Sequence, residues 1–257
     1  MGIRRGSIST PIIADGLVFN MDPANRASYP GTGGFTYNTI NMAISGTLSD
    51  GGGGSNTNPQ FSSSNGGVFD FDGVDDYIQF DKNTGNFGLN GPFTISAWFK
   101  GENLVDSYST VYAIISKFSF NNTSGWSFFL RGGAQNGYAF RSGYDAGTPS
   151  TALDVSPSPS LVSYLYDNNW HNITITQDSS RNATAYIDYT YTATRTYEDN
   201  HSNSNNLNLK VGVGTSTNSQ PFLGKIACIQ IYDNALPPQE VLKNYNALKS
   251  RFEWVEE

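Results

Sequence analysis

Eight consecutive residues, Phe93-Thr-Ile-Ser-Ala-Trp-Phe-Lys100, alternate strictly, and a period of two is the signature of a strand whose faces meet different surroundings. Phe93, Ile95, Ala97 and Phe99 fall on one face, and Thr94, Ser96 and Trp98 on the other. Trp98 is placed either between two sheets or against a ligand, and packing is the stronger expectation for so large a ring. Further strand patterns run over Gly16 to Asp22, Val111 to Lys117, Gly125 to Arg131, Gly137 to Ser142, Trp170 to Gln177, Ala183 to Tyr191, Leu207 to Gly214 and Phe222 to Tyr232. No helical pattern separates them. Strands joined without helices must pair antiparallel, and their edges need closing or covering, which a two-sheet antiparallel jelly-roll sandwich achieves.

Composition agrees with an all-β chain. Aromatic residues make up 14% of the 257 residues and charged residues only 14%, against about 25% charged in an average soluble protein. A net charge of −7 without any Lys/Arg cluster argues against nucleic-acid binding, which depends on phosphate neutralisation. The one cysteine, Cys228, lies in an apolar strand and reads as a buried thiol, with no disulfide framework possible. No apolar stretch follows the two arginines of Met1 to Thr10, so no secretory signal peptide is expected there, and no segment is apolar enough for membrane insertion.

Residues 1 to 12 read as an N-terminal arm. From Ala24 to Ser64 the chain is rich in Gly, Ser, Asn and Thr, the composition of long loops interrupted by short strands. Gly51 to Gly54 lacks the Lys-Ser or Lys-Thr and the helix of a phosphate loop. The segments from 111 to 142 read as a meander. The long loop from Gly143 to Tyr166, with Tyr144, Tyr164 and Tyr166, is a candidate contact surface. Pro237-Pro-Gln-Glu opens the one convincing helix, about 237–252, with Val241, Tyr245, Leu248 and Phe252 on one face. His171 falls in a strand and is expected at a sheet margin rather than as a catalytic base.

Val68 to Phe80 carries Asp70, Asp72, Asp75 and Asp76 between two apolar-alternating runs. It reads as a β-hairpin turning at Gly73, with Phe69 and Phe71 on one face and Asp70 and Asp72 on the other. Three functions are open to its carboxylates: a calcium site, a catalytic pair or a solvated Asx-turn. Asn-x-Ser/Thr triplets at Asn121, Asn122, Asn172, Asn182 and Asn200 are expected by chance in a chain so rich in asparagine.

Several pieces together resemble the concanavalin A-like jelly rolls, and among them the laminin G-like and pentraxin-like domains. They are Asp15-Gly-Leu-Val-Phe-Asn-Met-Asp22, Phe71-Asp-Gly-Val-Asp-Asp-Tyr-Ile78, Phe93 to Trp98, Trp170-His-Asn-Ile-Thr174, Tyr186-Ile-Asp188, and Leu223-Gly-Lys-Ile226 leading to Ile231-Tyr-Asp-Asn-Ala-Leu-Pro-Pro238. The resemblance implies a single laminin G-like domain over 13–257. Such domains recur in virion proteins of tailed bacteriophages, where the opening Gly-Leu-Val-Phe and the closing Asn244 to Lys249 helix are familiar. It therefore implies a non-enzymatic capsid decoration or a tail or fibre component, bound to other virion proteins or to further copies of itself.

Glucanases of the same superfamily carry Glu-x-Asp-x-Glu on one strand, a motif absent here, although Asp70 and Asp72 do stand two apart. Pentraxin-like domains hold two calcium ions between an acidic pair and a second acidic loop. Asp75 and Asp76 match the pair, while Gly214 to Gln220 has no carboxylate, so the resemblance implies at most one calcium ion. Host-surface glycans are the other expected partners. Trp98, Tyr138, Arg141 and Tyr144 are the candidate carbohydrate-binding residues, because aromatic faces and a guanidinium engage sugar rings and acidic groups.

Overall fold

A computed structural model describes residues 11–52, 58–88, 91–104, 110–119, 122–131, 137–142, 152–153, 165–189, 191–196, 205–214 and 220–253. The chain forms an all-β jelly-roll sandwich of two antiparallel sheets with one short C-terminal helix. In chain order the strands are β1 (Leu17–Met21), β2 (Phe35–Tyr37), β3 (Ser45–Ser49), β4 (Gln60–Ser62), β5 (Val68–Asp72), β6 (Tyr77–Phe80), β7 (Phe93–Gly101) and β8 (Val111–Ser119). They continue as β9 (Asn122–Arg131), β10 (Gly137–Ser142), β11 (Ala152–Leu153), β12 (Trp170–Gln177), β13 (Asn182–Ile187), β14 (Tyr191–Thr196), β15 (Leu209–Val211) and β16 (Leu223–Tyr232). Helix α1 covers Pro238–Leu248 and runs into a 3-10 turn over Lys249–Arg251. The first sheet has the order β14-β13-β12-β7-β16-β5-β4, with β1 also pairing β16; the second runs β11-β10-β9-β8-β15-β6-β3-β2.

The alternation of β7 is used as its sequence implies. Phe93, Ile95, Ala97 and Phe99 enter the core between the sheets, where Ile173 and Ile175 of β12 join them. Facing them from the second sheet are Ile78, Phe80, Trp126, Phe128 and Phe140. Strands β8, β9 and β10 form the expected meander. The stretch from 183 to 191, expected as one strand, is instead a hairpin of β13 and β14. Asp188 and Tyr189, both at positive φ, make its turn, a conformation in which asparagine and aspartate are favoured.

Val68 to Phe80 is not a hairpin. β5 pairs β16 and β4 in the first sheet, whereas β6 pairs β15 and β3 in the second. The turn between them lifts the chain across the sandwich. Phe69 and Phe71 therefore meet Ile78 and Phe80 face to face through the core rather than side by side in one sheet. Gly73 has φ +76, and a Cβ there would lie 2.8 Å from that of Leu223, so both the backbone and the space favour glycine.

The outer face of the first sheet is covered in part by α1. Trp98 is 4% exposed and stacks on Phe252 at 4.4 Å and on Tyr245 at 5.3 Å. It packs between sheet and helix, not between two sheets. Opposite it, β16 changes register between Ile226 and Ile229, so that Ala227 and Cys228 together face one residue of β7. This bulge turns Ala227 and Cys228 outward under the helix while keeping Ile226 and Ile229 in the core, a phase reset that regular alternation forbids. Cys228 is buried, as its strand context implies.

Ile13, near the first described residue, and Arg251, near the last, are both tied in beside this face. The Asn244 side chain accepts a hydrogen bond from the Ile13 amide and donates to the Tyr232 hydroxyl. Arg251 donates to the Asp22 carboxylate at 2.9 Å and to the Gly67 and Asn65 carbonyls. Replacing Trp98 by alanine removes the surface on which Tyr245 and Phe252 stack. The variant is expected to lose about 3–5 kcal/mol in urea unfolding, and the C-terminal segment should become protease-sensitive at lower denaturant.

Candidate functional site

The acidic corner lies where β5 leaves the first sheet. Asp72, Asp75 and Asp76 each offer a carboxylate oxygen, and these oxygens lie within 4.8 Å of one another. The corner is walled by the turn after β3, where a Cβ on Gly51 would stand 2.8 Å from the Asp75 carbonyl oxygen, and by Gly212 beside the Asp76 carbonyl. Asp72 Oδ1 accepts the Val74 amide at 2.8 Å, an Asx-turn. Asp76 Oδ2 accepts the Asp72 amide at 3.0 Å. The carboxylates thus fold the turn that gathers them.

Turn formation leaves one atom unexplained. Asp76 is 2% exposed, and its Oδ1 is buried with no hydrogen-bond partner. Burial pushes its carboxyl up to about 7, and the charges of Asp72, Asp75 and Asp50 push the same way against the Asp72 amide bond. A buried carboxylate oxygen with an empty coordination sphere, among further carboxylates, suits a hard cation. Asp75 and Asp76 are brought together as expected. Asp72 joins them; the sequence left it open between a calcium site, a catalytic pair and a turn, and the calcium expectation named only Asp75 and Asp76. Residues 215–219 of the second loop lie outside the described residues.

The catalytic alternative fares poorly here. Asp70 turns to Lys225 at 3.1 Å, while Asp72 turns into the corner, so their carboxylates face different partners. Asp76, the carboxyl best tuned to hold a proton at neutral pH, is too enclosed to reach a glycosidic oxygen.

A second polar cluster surrounds His171, which is 1% exposed inside the first sheet rather than at its margin. Its Nδ1 lies 2.7 Å from Asp188 Oδ2 and its Nε2 3.1 Å from Asp167 Oδ1. Burial draws the imidazole pKa down, but the bonds and charges of the two aspartates outweigh it and leave it raised. The pair anchors the β13–β14 turn, since Asp188 Oδ1 also accepts the Asn172 amide. Asn172 is 3% exposed, out of reach of glycosylation.

Of the four carbohydrate candidates, Trp98 is occupied by Phe252 and Tyr245 and offers no open ring face. Tyr138 and Arg141 lie on β10, where their backbones pair with Leu130 and Ser127. Tyr144 lies outside the described residues. The edge of Trp98 does line, with Trp170, Tyr245 and Phe252, a groove on the outer face of the first sheet beside α1, and what the candidate list missed is Trp170.

The profile of a laminin G family, described as the concanavalin A-like lectin/glucanases superfamily, matches residues 72–242, more than half of the chain. No curated protein matches the sequence significantly. Among solved structures, the binding domain of Paraclostridial Mosquitocidal Protein 1 superposes with a TM-score of 0.66 at 19% identity, over 89% of this chain and 52% of that one. The botulinum neurotoxin type G receptor binding domain gives 0.63 at 19% identity, over 90% and 51%. The botulinum neurotoxin serotype D ligand binding domain in complex with N-acetylneuraminic acid gives 0.64 at 18%, over 90% and 50%. The chain spans about half the length of these structures, and at such identity the likeness is one of fold.

The raised Asp76 carboxyl gives a pH test. In EDTA the folded protein binds a proton here that the unfolded chain releases near pH 4, so the contribution to stability is present below about pH 4 and lost as pH rises through about 7. Asp76→Asn should flatten that fall in thermal stability between pH 4 and 8. Calcium should raise the melting temperature of the parent at pH 8 and leave the variant unmoved. Fold, acidic corner and profile match agree, and the chain belongs to the concanavalin A-like lectin/glucanases superfamily.

Proposed function

We propose that this chain is a non-enzymatic, carbohydrate-recognising interaction protein, and that it serves in a tailed-phage virion as a capsid decoration or a tail or fibre component. The observation that carries the non-enzymatic part is the enclosure of Asp76: the carboxylates most suited to acid–base work are arranged around an orphaned oxygen, as a cation holder is, and not across an open cleft. Asp72, Asp75 and Asp76 hold one calcium ion, which fixes the crossing between the two sheets. The carbohydrate part is supported by the lectin-like fold. A bound sugar acid in one toxin domain of similar fold points the same way.

The virion part is supported by two sequence pieces, Gly16 to Phe19, which leads into β1 beside β16, and Asn244 to Lys249, which lies in α1 and the turn after it. Its partners there are other virion proteins or further copies of the chain, and its glycans those of a host surface. Among the described residues no helix is long and apolar enough to cross a membrane.

Two measurements test this reading. Mass spectrometry of purified particles from the encoding genome should find the chain in stoichiometric amounts, and its absence would remove the virion assignment while leaving the lectin reading. A glycan array probed in calcium and in EDTA should show binding without release of reducing ends; hydrolysis of any arrayed glycan would refute the non-enzymatic assignment.

A further inference from the structure

Across the outer face of the first sheet, five adjacent strands place one residue each in a single register row. Trp170 of β12 stands opposite Lys100 of β7, Lys100 opposite Lys225 of β16, Lys225 opposite Asp70 of β5, and Asp70 opposite Gln60 of β4. At about 4.8 Å between neighbouring strands the row spans about 19 Å. Two hollows of about 480 and 460 Å³ adjoin at the Trp170 end of the row and share Trp170, Phe252 and Glu253 as walls, and the second also takes in Lys100, Lys225 and Glu102.

Trp170 is held ready. It is half-buried, its ring 4.8 Å from that of Phe252, and its indole N–H donates to Asn65 Oδ1. That amide is fixed in turn by its bond to the Arg251 carbonyl. A rigid aromatic edge with its polar atom already satisfied offers apolar surface at little entropic cost. Beside it, Lys100 and Lys225 are like charges directly opposite one another, an arrangement that costs stability unless neutralised. Lys225 is neutralised by Glu102 at 2.5 Å and by Asp70 at 3.1 Å. Lys100 forms no ion pair among the described residues and keeps its ammonium donors for a ligand.

The charge balance selects the ligand class. The two lysines are matched by Asp70 and Glu102, and Glu253 adds a further carboxylate at the rim, on a chain of net charge −7. A polyanion gains nothing from such a surface. Sugar hydroxyls both donate and accept, so alternating ammonium and carboxylate groups beside an aromatic wall suit them. The two adjoining hollows suit a chain of sugar units rather than a single ring.

We propose that this row is the binding groove for a neutral oligosaccharide chain, with Trp170 as the packing platform and Lys100 and Glu102 as hydrogen-bonding groups for ring hydroxyls. The groove rests on the carbohydrate-recognising reading above and narrows it to one face, one ligand class and a site independent of the acidic corner.

Isothermal titration calorimetry of the full chain tests it, with cellohexaose, xylohexaose, maltohexaose and mannohexaose as neutral probes, and hexagalacturonate and sialyllactose as acidic ones, each in calcium and in EDTA. At least one neutral probe should bind equally in both buffers. Trp170→Ala should weaken that binding about tenfold or more, and Lys100→Ala, at a half-buried charge without an ion pair among the described residues, should weaken it severalfold while the variant stays folded by circular dichroism. Asp76→Asn should leave it intact. Neutral binding unaltered in both groove variants would overturn the groove and leave carbohydrate recognition standing. Binding of acidic probes alone would overturn the ligand class. Failure of the parent to bind any probe would refute the groove and the carbohydrate reading together.

Discussion

Strand β16 is the constraint on which the rest of the fold depends, because it is buried on both faces and pairs with three other strands. One side faces β7 along its length; the other is shared between β5 and β1. Its inner residues, Ile226, Ile229 and Ile231, belong to the inter-sheet core. Its outer residues, Ala227, Cys228 and Tyr232, lie beneath the C-terminal segment. Strict alternation cannot supply apolar residues to both sides of this stretch in the required phase. The bulge opposite Trp98 can, and it leaves small side chains where Trp98 needs room. The helix is thus docked on a surface that one extra residue creates.

Much of this architecture was legible in the sequence because it is written in local period. The alternation of β7, the phase of Phe69 and Phe71, and the helix face of Val241, Tyr245 and Leu248 each follow from side-chain direction over a few residues. What local period cannot say is which strand lies beside which. An apolar run, a turn and a second apolar run describe a hairpin and a crossing between sheets equally well, and Val68 to Phe80 is the crossing. The same gap hid the groove: Trp170, Lys100, Lys225 and Asp70 are unremarkable singly and become a row only through register between distant strands.

The acidic corner was half legible for a different reason. Matching to the pentraxin-like pattern picks out Asp75 and Asp76, the adjacent pair, and passes over Asp72, whose carboxylate closes an Asx-turn in the same corner. The turn and the proposed cation site use the same residues. Their competition is energetic: the amide bonds satisfy some of the carboxylate oxygens, and the enclosure that makes those bonds also strips water from Asp76 Oδ1. An oxygen left without a partner in a native fold asks for an explanation, and the proposed cation supplies one.

The outer face of β5 joins these features in three steps. Val68 packs under α1 beside Trp98, Asp70 holds Lys225 in the groove row, and Asp72 enters the cation corner. Each is two residues from the next, about 6.8 Å along the strand. Apolar docking, charge balance and the acidic corner therefore share one rigid segment, fixed through its inner face by Phe69 and Phe71. A change in the corner reaches the groove only by moving this strand, and that strand is pinned between β16 and β4. The structure thus favours two sites that are near in space and nearly independent in energy.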